Sequence, residues 1–297
     1  MPTEPQTPDR RRRADGTWRQ LPGQAWRVTA TALAFGTFGL GGLVLGLLVF
    51  PLLGLLVRPA PRRRHMARAL VGCLFRCFVA EMRLLGLLTV QLEGLERLQR
   101  RGLLVLANHP SLIDVVFLIG WVPDAHCVVK ASLRDNPCTR GPVQATGYIC
   151  NNTGADLMQT CVDSVHQGGN LIIFPEGTRT RPGQPLKMQR GAAQIALRGG
   201  LPITPVRIRC DPPGLYKGQP WWRVGRQVLH FRISVEPDLP SAPFLQSTQG
   251  EPALAARRLT EFLTHYFSGN HNNDPIAGGI FHAATRDQGA ADLSAPT

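Results

Sequence analysis

A histidine and an aspartate, five positions apart, interrupt the otherwise apolar stretch VLANHPSLIDVVFLIG at residues 105–120. An imidazole can act as a general base near neutral pH. A carboxylate on its second ring nitrogen fixes the tautomer and stabilises the imidazolium that forms. His109 and Asp114 are therefore predicted catalytic residues. Taken singly, each has a structural alternative, as a polar strand end and as a carboxylate in the first turn of a helix.

A second apolar run also ends abruptly in polar residues, in the sequence IIFPEGTRTRPG at residues 172–183. Arg179 offers a planar fork of donors that matches phosphate or carboxylate oxygens. Gly177 allows the backbone to approach a ligand closely. We expect Glu176 and Arg179 to face the same cleft as His109; an exposed Glu/Arg pair in a surface turn is the alternative.

The elements that must position these residues alternate between short apolar runs and helical stretches, which predicts an α/β fold. We predict a single catalytic domain with a central mixed sheet flanked by helices. A helix is predicted from Pro110 through Trp121, and another from near Gln189 to Gly199. The predicted strands are residues 103–108, 126–130, 170–177, 203–209 and 228–235.

The N-terminal region contains thirty consecutive residues without a charge, 28–57. This exceeds the roughly 20 residues that span a hydrocarbon core and is too long for a signal-peptide apolar region. Arginines flank it on both sides, so a bent or re-entrant hairpin and a tilted single span both remain open. We predict a membrane-associated helical segment ahead of the catalytic domain.

The following residues, 67–90, combine helical apolar spacing with interrupting charges, which is typical of an amphipathic helix at a lipid interface. A helix packed on the globular core is the alternative. The predicted organisation is a basic, disordered N-terminus at 1–27, membrane-inserted and interfacial helices at 28–90, a catalytic domain at 91–268, and a disordered tail at 269–297.

The overall charge of +13 suits a partner with a phosphate surface, and the apolar segment favours lipid over nucleic acid. The seven cysteines form no C-x-x-C pair and are expected to be reduced thiols. We expect no metal site, because no Cys/His cluster has zinc-ligand spacing. We also expect no nucleic-acid partner, because the apolar segment favours lipid. No glycine-rich phosphate loop is present either, so no cofactor is expected.

The motifs NHPSLID and FPEGTR, in this order and about sixty residues apart, resemble those of the glycerolipid acyltransferase family, which includes the lysophosphatidate acyltransferases. The blocks VVKASLRDNPCTRGPVQATGYICNN and GGLPITPVRI resemble two further motifs of this family. The resemblance covers residues 92–235. It implies that His109 and Asp114 deprotonate an acceptor hydroxyl and that the Glu-Gly-Thr-Arg motif helps to hold the acceptor.

The same resemblance assigns the matched motif positions to catalysis or to substrate binding. The middle motif departs from the family pattern, since Asn151 and Asn152 stand where many relatives have a basic residue, and this weakens the expectation of a phosphate-bearing acceptor. Ser111 is expected to cap a helix, because no G-x-S-x-G nucleophile motif is present. The predicted substrate-binding residues are Asn108, Ser111, Lys130, Glu176, Gly177, Thr178, Arg179 and Pro205.

The predicted function is therefore membrane-bound acyl transfer from an acyl thioester to a hydroxyl of a lysophospholipid or related lipid. The donor is acyl-CoA or acyl carrier protein, and backbone N–H groups near Pro110 and Ser111 are predicted to hold the oxyanion. Lyso-ornithine lipid or an aryl polyene lipid are alternative acceptors. A membrane-anchored lipase or thioesterase and a non-catalytic lipid-binding module are the alternative classes. The expected location is the cytoplasmic face of the inner membrane.

Overall fold

A seven-stranded mixed sheet forms the centre of the computed structural model, which describes residues 21–151, 156–220 and 222–269. The strand order is β1-β7-β6-β2-β5-β3-β4, and all neighbours are parallel except β6 and β7. The predicted α/β fold class is thus confirmed. The strands are β1 (Leu88–Glu93), β2 (Leu104–Ala107), β3 (Ala125–Val129), β4 (Ile149–Cys150), β5 (Asn170–Ile173), β6 (Ile203–Asp211) and β7 (Leu229–Val235).

Helices cover both faces of this sheet. The side chains of the central strands are buried on both faces, as expected where parallel strands are covered by helices: Leu104 and Leu106 join the core on one face, and Val105 and Ala107 join the core on the other. The helices are α1 (Leu21–Val44), α2 (Phe50–Leu56), α3 (Ala60–Leu84), α4 (Asp114–Trp121), α5 (Pro137–Thr146), α6 (Leu157–His166), α7 (Arg190–Gly199), α8 (Ala242–Gln246) and α9 (Pro252–Ser268).

The apolar N-terminal segment is one continuous helical rod rather than a bent hairpin. A single π-helical turn, Leu45–Val49, joins α1 to α2 without a break. The hairpin interpretation of residues 28–57 is therefore wrong, because the chain continues through the π turn as a helix and does not reverse its direction there. The stretch Gly23–Leu56 is long and apolar enough to cross a membrane.

The chain reverses only after this rod, and α3 returns alongside α1. Phe38 packs on Phe75 and Phe78, with ring centroids 5.9 and 5.3 Å away. Near the other end, the indole N–H of Trp26 donates to the carbonyl of Leu85. The two helices therefore form an antiparallel pair.

Helix α3 also packs on the helices and strands of the central sheet, so one of its faces agrees with the alternative interpretation of residues 67–90, a helix packed on the globular core. Val71, Val79 and Met82 are buried in the core, whereas Leu74 and Leu84 are exposed. The helix ends at Leu84, and residues 88–90 begin β1, which pairs with β7. The predicted domain boundary at residue 91 thus falls inside a strand.

The disorder predicted for residues 1–27 can be compared with the structure only at residues 21–27. Residues 1–20 and 270–297 lie outside the described residues. Residues 21–27 are helical, so the expected disorder is wrong for them. Arg27 explains part of this order, because its guanidinium donates to the carbonyls of Gly225, Gln227 and Gly86.

Glycines bring α1 and the π turn against α5. A Cβ added to Gly42 would lie 2.0 Å from the carbonyl oxygen of Cys138, and one added to Gly141 would lie 2.3 Å from the Cα of Gly46. Only residues without a side chain allow two helix backbones to approach this closely. The long apolar helix is therefore attached to the catalytic domain along its middle.

Candidate active site

The predicted catalytic pair is assembled where β2 ends. The Nδ1 atom of His109 lies 2.8 Å from Oδ2 of Asp114. Asp114 is fully buried, whereas the side chain of His109 is 18% exposed. Among the described residues, none forms a hydrogen bond with Nε2 of His109. The imidazole therefore has one nitrogen fixed by a carboxylate and one available to a substrate.

Ser111 holds the carboxylate of Asp114 in this position. Its hydroxyl donates to Oδ1 at 2.5 Å, and its backbone N–H donates to Oδ2 at 2.6 Å. Burial raises the pKa of Asp114, and the donations from His109 and Ser111 oppose this effect. Both carboxylate oxygens accept hydrogen bonds, as an ionised carboxylate does.

These contacts correct three predictions for the loop before α4. The helix begins at Asp114, not at Pro110. Ser111 does not cap this helix, because its side chain is fully buried against Asp114, three residues before the helix begins; its predicted contact with substrate stays a prediction. The backbone N–H groups of Ser111, Leu112 and Ile113 donate to Asp114, Leu215 and the hydroxyl of Ser111, so they cannot serve as the predicted oxyanion donors.

Glu176 lies beside His109, as predicted, but it acts within the protein. Its Oε1 atom accepts from the backbone N–H of His109 at 2.6 Å, and its Oε2 atom accepts from the hydroxyl of Thr180. The residue is 5% exposed, and burial raises its pKa. Glu176 therefore joins the two motif loops, and its predicted contact with substrate stays a prediction.

Two further residues shape the site and were missed in the sequence. The ring of Phe174 stacks on the imidazole of His109, with centroids 4.3 Å apart. The backbone N–H of Thr180 donates to the carbonyl of His109, 3.1 Å away. Phe174 is the aromatic residue that ends the apolar run before Pro175, which is a detectable signal. The contact of Thr180 depends on how two distant loops meet and has no local signal.

The remaining residues of the Glu-Gly-Thr-Arg motif follow a tight turn. Gly177 has a φ of 68°, so a side chain there would strain the backbone. Arg179 donates from Nη1 to the carbonyl of Leu215 at 2.9 Å, which fixes one edge of its guanidinium. Thr178 is half-buried and forms no hydrogen bond with the described residues. The predicted substrate contacts of these three residues stay predictions.

Three other predicted substrate-binding residues have different positions. Asn108 bridges β2 and β6, donating to the carbonyl of Ile208 at 2.8 Å and accepting from its N–H at 2.7 Å. Pro205 is buried within β6, paired with Leu106. In the structure both residues therefore make contacts within the protein, and their predicted contacts with substrate stay predictions. Lys130 is exposed just beyond β3, at the same sheet edge as His109.

The middle motif contributes one hydrogen bond near the site. Asn151 accepts from the backbone N–H of Ala131 at 3.2 Å, and Asn152 lies outside the described residues. Within the described part of the chain, no group of three or more His, Cys, Asp or Glu side chains could hold a metal ion. The described residues thus provide an oriented imidazole, a candidate general base, at the edge of the sheet.

Comparison with known proteins agrees with this architecture. Residues 89–209 match the family model "Acyltransferase". The crystal structure of the 1-acyl-sn-glycerophosphate (LPA) acyltransferase PlsC from Thermotoga maritima has the same fold, with a TM-score of 0.59 and 20% identity. That match covers 82% of this chain and 97% of the PlsC chain.

Two curated relatives carry related names. The 1-acyl-sn-glycerol-3-phosphate acyltransferase of Helicobacter pylori is 28% identical over 185 residues, which cover 60% of this chain and 75% of that protein. The lyso-ornithine lipid O-acyltransferase of Pseudomonas aeruginosa is 30% identical over 125 residues, which cover 40% of this chain and 48% of that protein. The resemblance noted in the sequence is thus supported: residues 89–209 match the acyltransferase family model, and the chain is similar to lysophospholipid acyltransferases.

Proposed function

We propose that this protein is a membrane-bound O-acyltransferase that moves a fatty acyl group from an acyl thioester to a hydroxyl of a lysophospholipid or related lipid. The observation that carries the proposal is the oriented imidazole: Nδ1 of His109 lies 2.8 Å from buried Asp114, and the His109 side chain is 18% exposed. The acyltransferase domain match supports the reaction class.

The proposed reaction is a single displacement on the thioester. Nε2 of His109 takes the proton of the acceptor hydroxyl while that oxygen attacks the thioester carbonyl. The new C–O bond forms, the tetrahedral intermediate collapses, and the C–S bond breaks. The leaving thiolate takes the proton from the imidazolium, which Asp114 stabilises until then. No covalent enzyme intermediate is required.

A serine hydrolase mechanism is disfavoured by the geometry of Ser111. The hydroxyl donates to Asp114 rather than to His109, and the side chain is fully buried. A nucleophile must be within reach of the base and of the substrate carbonyl. We therefore propose acyl transfer rather than hydrolysis, and product analysis distinguishes the two reactions.

The acceptor is proposed to be held by the Glu-Gly-Thr-Arg loop, with Arg179 as its charged member. One edge of the guanidinium is fixed by Leu215, which leaves the other edge for an anion. A lysophosphatidate-like acceptor suits this group, and lyso-ornithine lipid is the alternative. Exposed Lys130 at the same sheet edge suits either acidic donor, acyl-CoA or acyl carrier protein.

Membrane attachment is proposed to involve the rod formed by α1 and α2. Its large exposed apolar side chains include Leu40, Leu47, Leu48, Leu55 and Leu56, each at least 65% exposed. An apolar surface of this extent is typical of a lipid or protein contact. We propose the inner membrane as the location, with the catalytic domain on its cytoplasmic face, where soluble acyl thioesters are available.

The test is product analysis with the full-length protein in detergent–lipid micelles. Radiolabelled acyl-CoA and acyl carrier protein are supplied in turn, each with lysophosphatidate, with lyso-ornithine lipid, or without an acceptor. We expect label in a diacylated lipid only when an acceptor is present. Release of free fatty acid at the same rate without an acceptor would identify a hydrolase and contradict the proposal.

A further inference from the structure

A cavity of about 780 Å³ lies between the N-terminal helix and the segment that joins β6 to β7, residues 212–228. Arg27, Thr31 and Phe35 line it from one face of α1, since residues four apart share a helix face. The volume falls within the range of roughly 300–1,000 Å³ that is usual for ligand pockets. None of the residues predicted from the motifs lines it.

The lining combines an apolar part with a basic part. Phe35, Met82, Leu87 and Leu229 provide apolar surface. Arginines at positions 27, 223 and 226 also line the cavity, and the last two are exposed. The described residues around the cavity include no acidic side chain. This combination is complementary to an amphiphile with an apolar chain and an anionic headgroup.

The wall of the cavity is fixed by hydrogen bonds between distant parts of the chain. Arg27 donates to the carbonyls of Gly225 and Gln227 at 2.9 and 2.5 Å. Gln24 donates to the carbonyl of Val224 at 3.3 Å. Because these bonds tie residues 224–227 to α1, the cavity is a built feature rather than a gap between loosely placed loops.

One polar atom of the lining has no partner. Nε2 of Gln219 donates to the carbonyl of Arg223 at 2.9 Å, which orients the amide. Its Oε1 atom is buried and accepts no hydrogen bond from the described residues. A buried acceptor without a donor costs about 1–3 kcal/mol.

Leu215 connects this cavity to the active site. It lines the cavity, and its carbonyl accepts from the N–H of Leu112 at 3.0 Å and from Nη1 of Arg179 at 2.9 Å. Its φ of 55° is unusual for a branched residue, so the surroundings impose this conformation. The cavity wall is thus bonded directly to the loop that holds Asp114 and to the predicted anion-binding arginine.

We propose that this cavity admits and first binds the lysolipid acceptor, with its single acyl chain against Phe35 and Leu87 and its anionic headgroup beside Arg223 and Arg226, before the headgroup moves past Leu215 to Arg179 for transfer. The inference rests on the proposed function and names the site and charge of the acceptor. An acyl thioester shares the chain and the negative charge. The acceptor is favoured because one wall of the cavity is α1 itself, whose outer face is apolar and exposed, so the cavity lies beside the surface proposed to contact lipid.

The direct test is photocrosslinking of the full-length His109→Ala variant, in which turnover does not consume the probe. One arm uses lysophosphatidate with a diazirine near the chain end, and the other uses acyl-CoA with the same group. We expect the lysolipid to label peptides containing residues 23–35 or 212–229, in competition with unlabelled lysolipid. Labelling of these peptides by acyl-CoA alone, or by neither probe, would overturn the proposal.

A kinetic test uses a pair of substitutions on one helix. Thr31→Phe fills the cavity, whereas Leu33→Phe adds a ring on the exposed face of α1, where Leu33 is 55% exposed. We expect Thr31→Phe to raise the KM for long-chain lysolipid by about tenfold, with a smaller effect for a short-chain lysolipid and an unchanged donor KM. A rise in the donor KM alone, or equal effects of both variants, would refute the assignment.

The basic part of the cavity is tested separately. The double variant Arg223→Gln/Arg226→Gln is compared with Arg232→Gln, which removes an exposed arginine on β7 that does not line the cavity. We expect a rise of about tenfold in the KM for an anionic lysolipid in the double variant only. Equal KM values in both variants would exclude these arginines from the site. If the wild-type protein makes no acylated lipid, the proposed function fails instead.

Discussion

Ser111→Ala should impair the catalytic pair without abolishing acyl transfer. The hydroxyl of Ser111 donates to a fully buried carboxylate at 2.5 Å, and a hydrogen bond to a charged group contributes about 1.5–3 kcal/mol. The backbone N–H of the same residue still donates to Asp114 in the variant. We therefore expect the free energy of unfolding to fall by about 1.5–3 kcal/mol, because one oxygen of the buried carboxylate loses its donor.

This loss converts to measurable changes in stability and in rate. For a domain of this size, 1 kcal/mol shifts the melting temperature by about 2–4 °C, so the expected decrease is about 3–12 °C. A carboxylate held less firmly orients His109 less well, and a loss of about 1.4 kcal/mol from the transition state lowers kcat about tenfold. Ser132→Ala is the control, since that side chain is exposed and bonds no carboxylate.

The assays are thermal unfolding in detergent and steady-state acyl transfer with saturating lysolipid. A nucleophilic serine would give a different result, since its removal costs on the order of 10⁶-fold in kcat in serine hydrolases. Complete loss of activity with an unchanged melting temperature would therefore refute the structural role of Ser111. Wild-type stability and rate would refute the contribution of its hydrogen bond.

Three further predictions follow from the described contacts. Arg179→Lys should raise the acceptor KM about tenfold and leave the donor KM unchanged in paired titrations, because lysine lacks the planar fork; a rise in the donor KM alone would move this residue to the donor site. Gly42→Ala should lower the melting temperature and Gly36→Ala should not, since a Cβ at Gly42 would meet Cys138 whereas one at Gly36 meets nothing within 4 Å; equal shifts would contradict the close helix contact. Burial, reinforced by nearby arginines, lowers the pKa of His126 from 6.5 to about 4. Between these pH values the unfolded state binds more protons than the folded state, so the melting temperature should fall as the pH is lowered from 6.5 to 4. His126→Gln should reduce this pH dependence of the melting temperature, and an unchanged dependence in the variant would refute the prediction.

Much of the fold is predictable from local patterns. The five predicted strands were found because buried parallel strands are short, nearly continuous apolar runs with clear boundaries. Strand β1 is not among the predicted strands, because it follows α3 closely and its apolar residues continue the helical pattern of residues 67–90. Its alternation of Leu88, Val90 and Leu92 with polar residues was the available signal. Strand β4, Ile149–Cys150, is too short to give a periodic pattern.

The sequence was sufficient to predict which residues lie at the site, but it was not sufficient to predict the contacts that each of them makes. The spacing of His109 and Asp114 was sufficient to predict their contact, because a short loop joins the strand end to the helix. The buried roles of Asn108 and Glu176 were not predictable, since they depend on which strands and loops become neighbours. For the same reason, the cavity beside α1 has no counterpart in the motifs: it joins parts of the chain about 200 residues apart.

The central claim is that His109 is the general base, and its replacement by alanine tests this most directly. Acyl transfer by full-length His109→Ala is compared with wild type at saturating donor and lysolipid, after melting temperatures have shown that both proteins are folded. Because positioned proton transfer contributes typically about 10²–10⁴-fold, we expect kcat to fall by that factor while the acceptor still binds. Turnover at the wild-type rate in His109→Ala would contradict the mechanism.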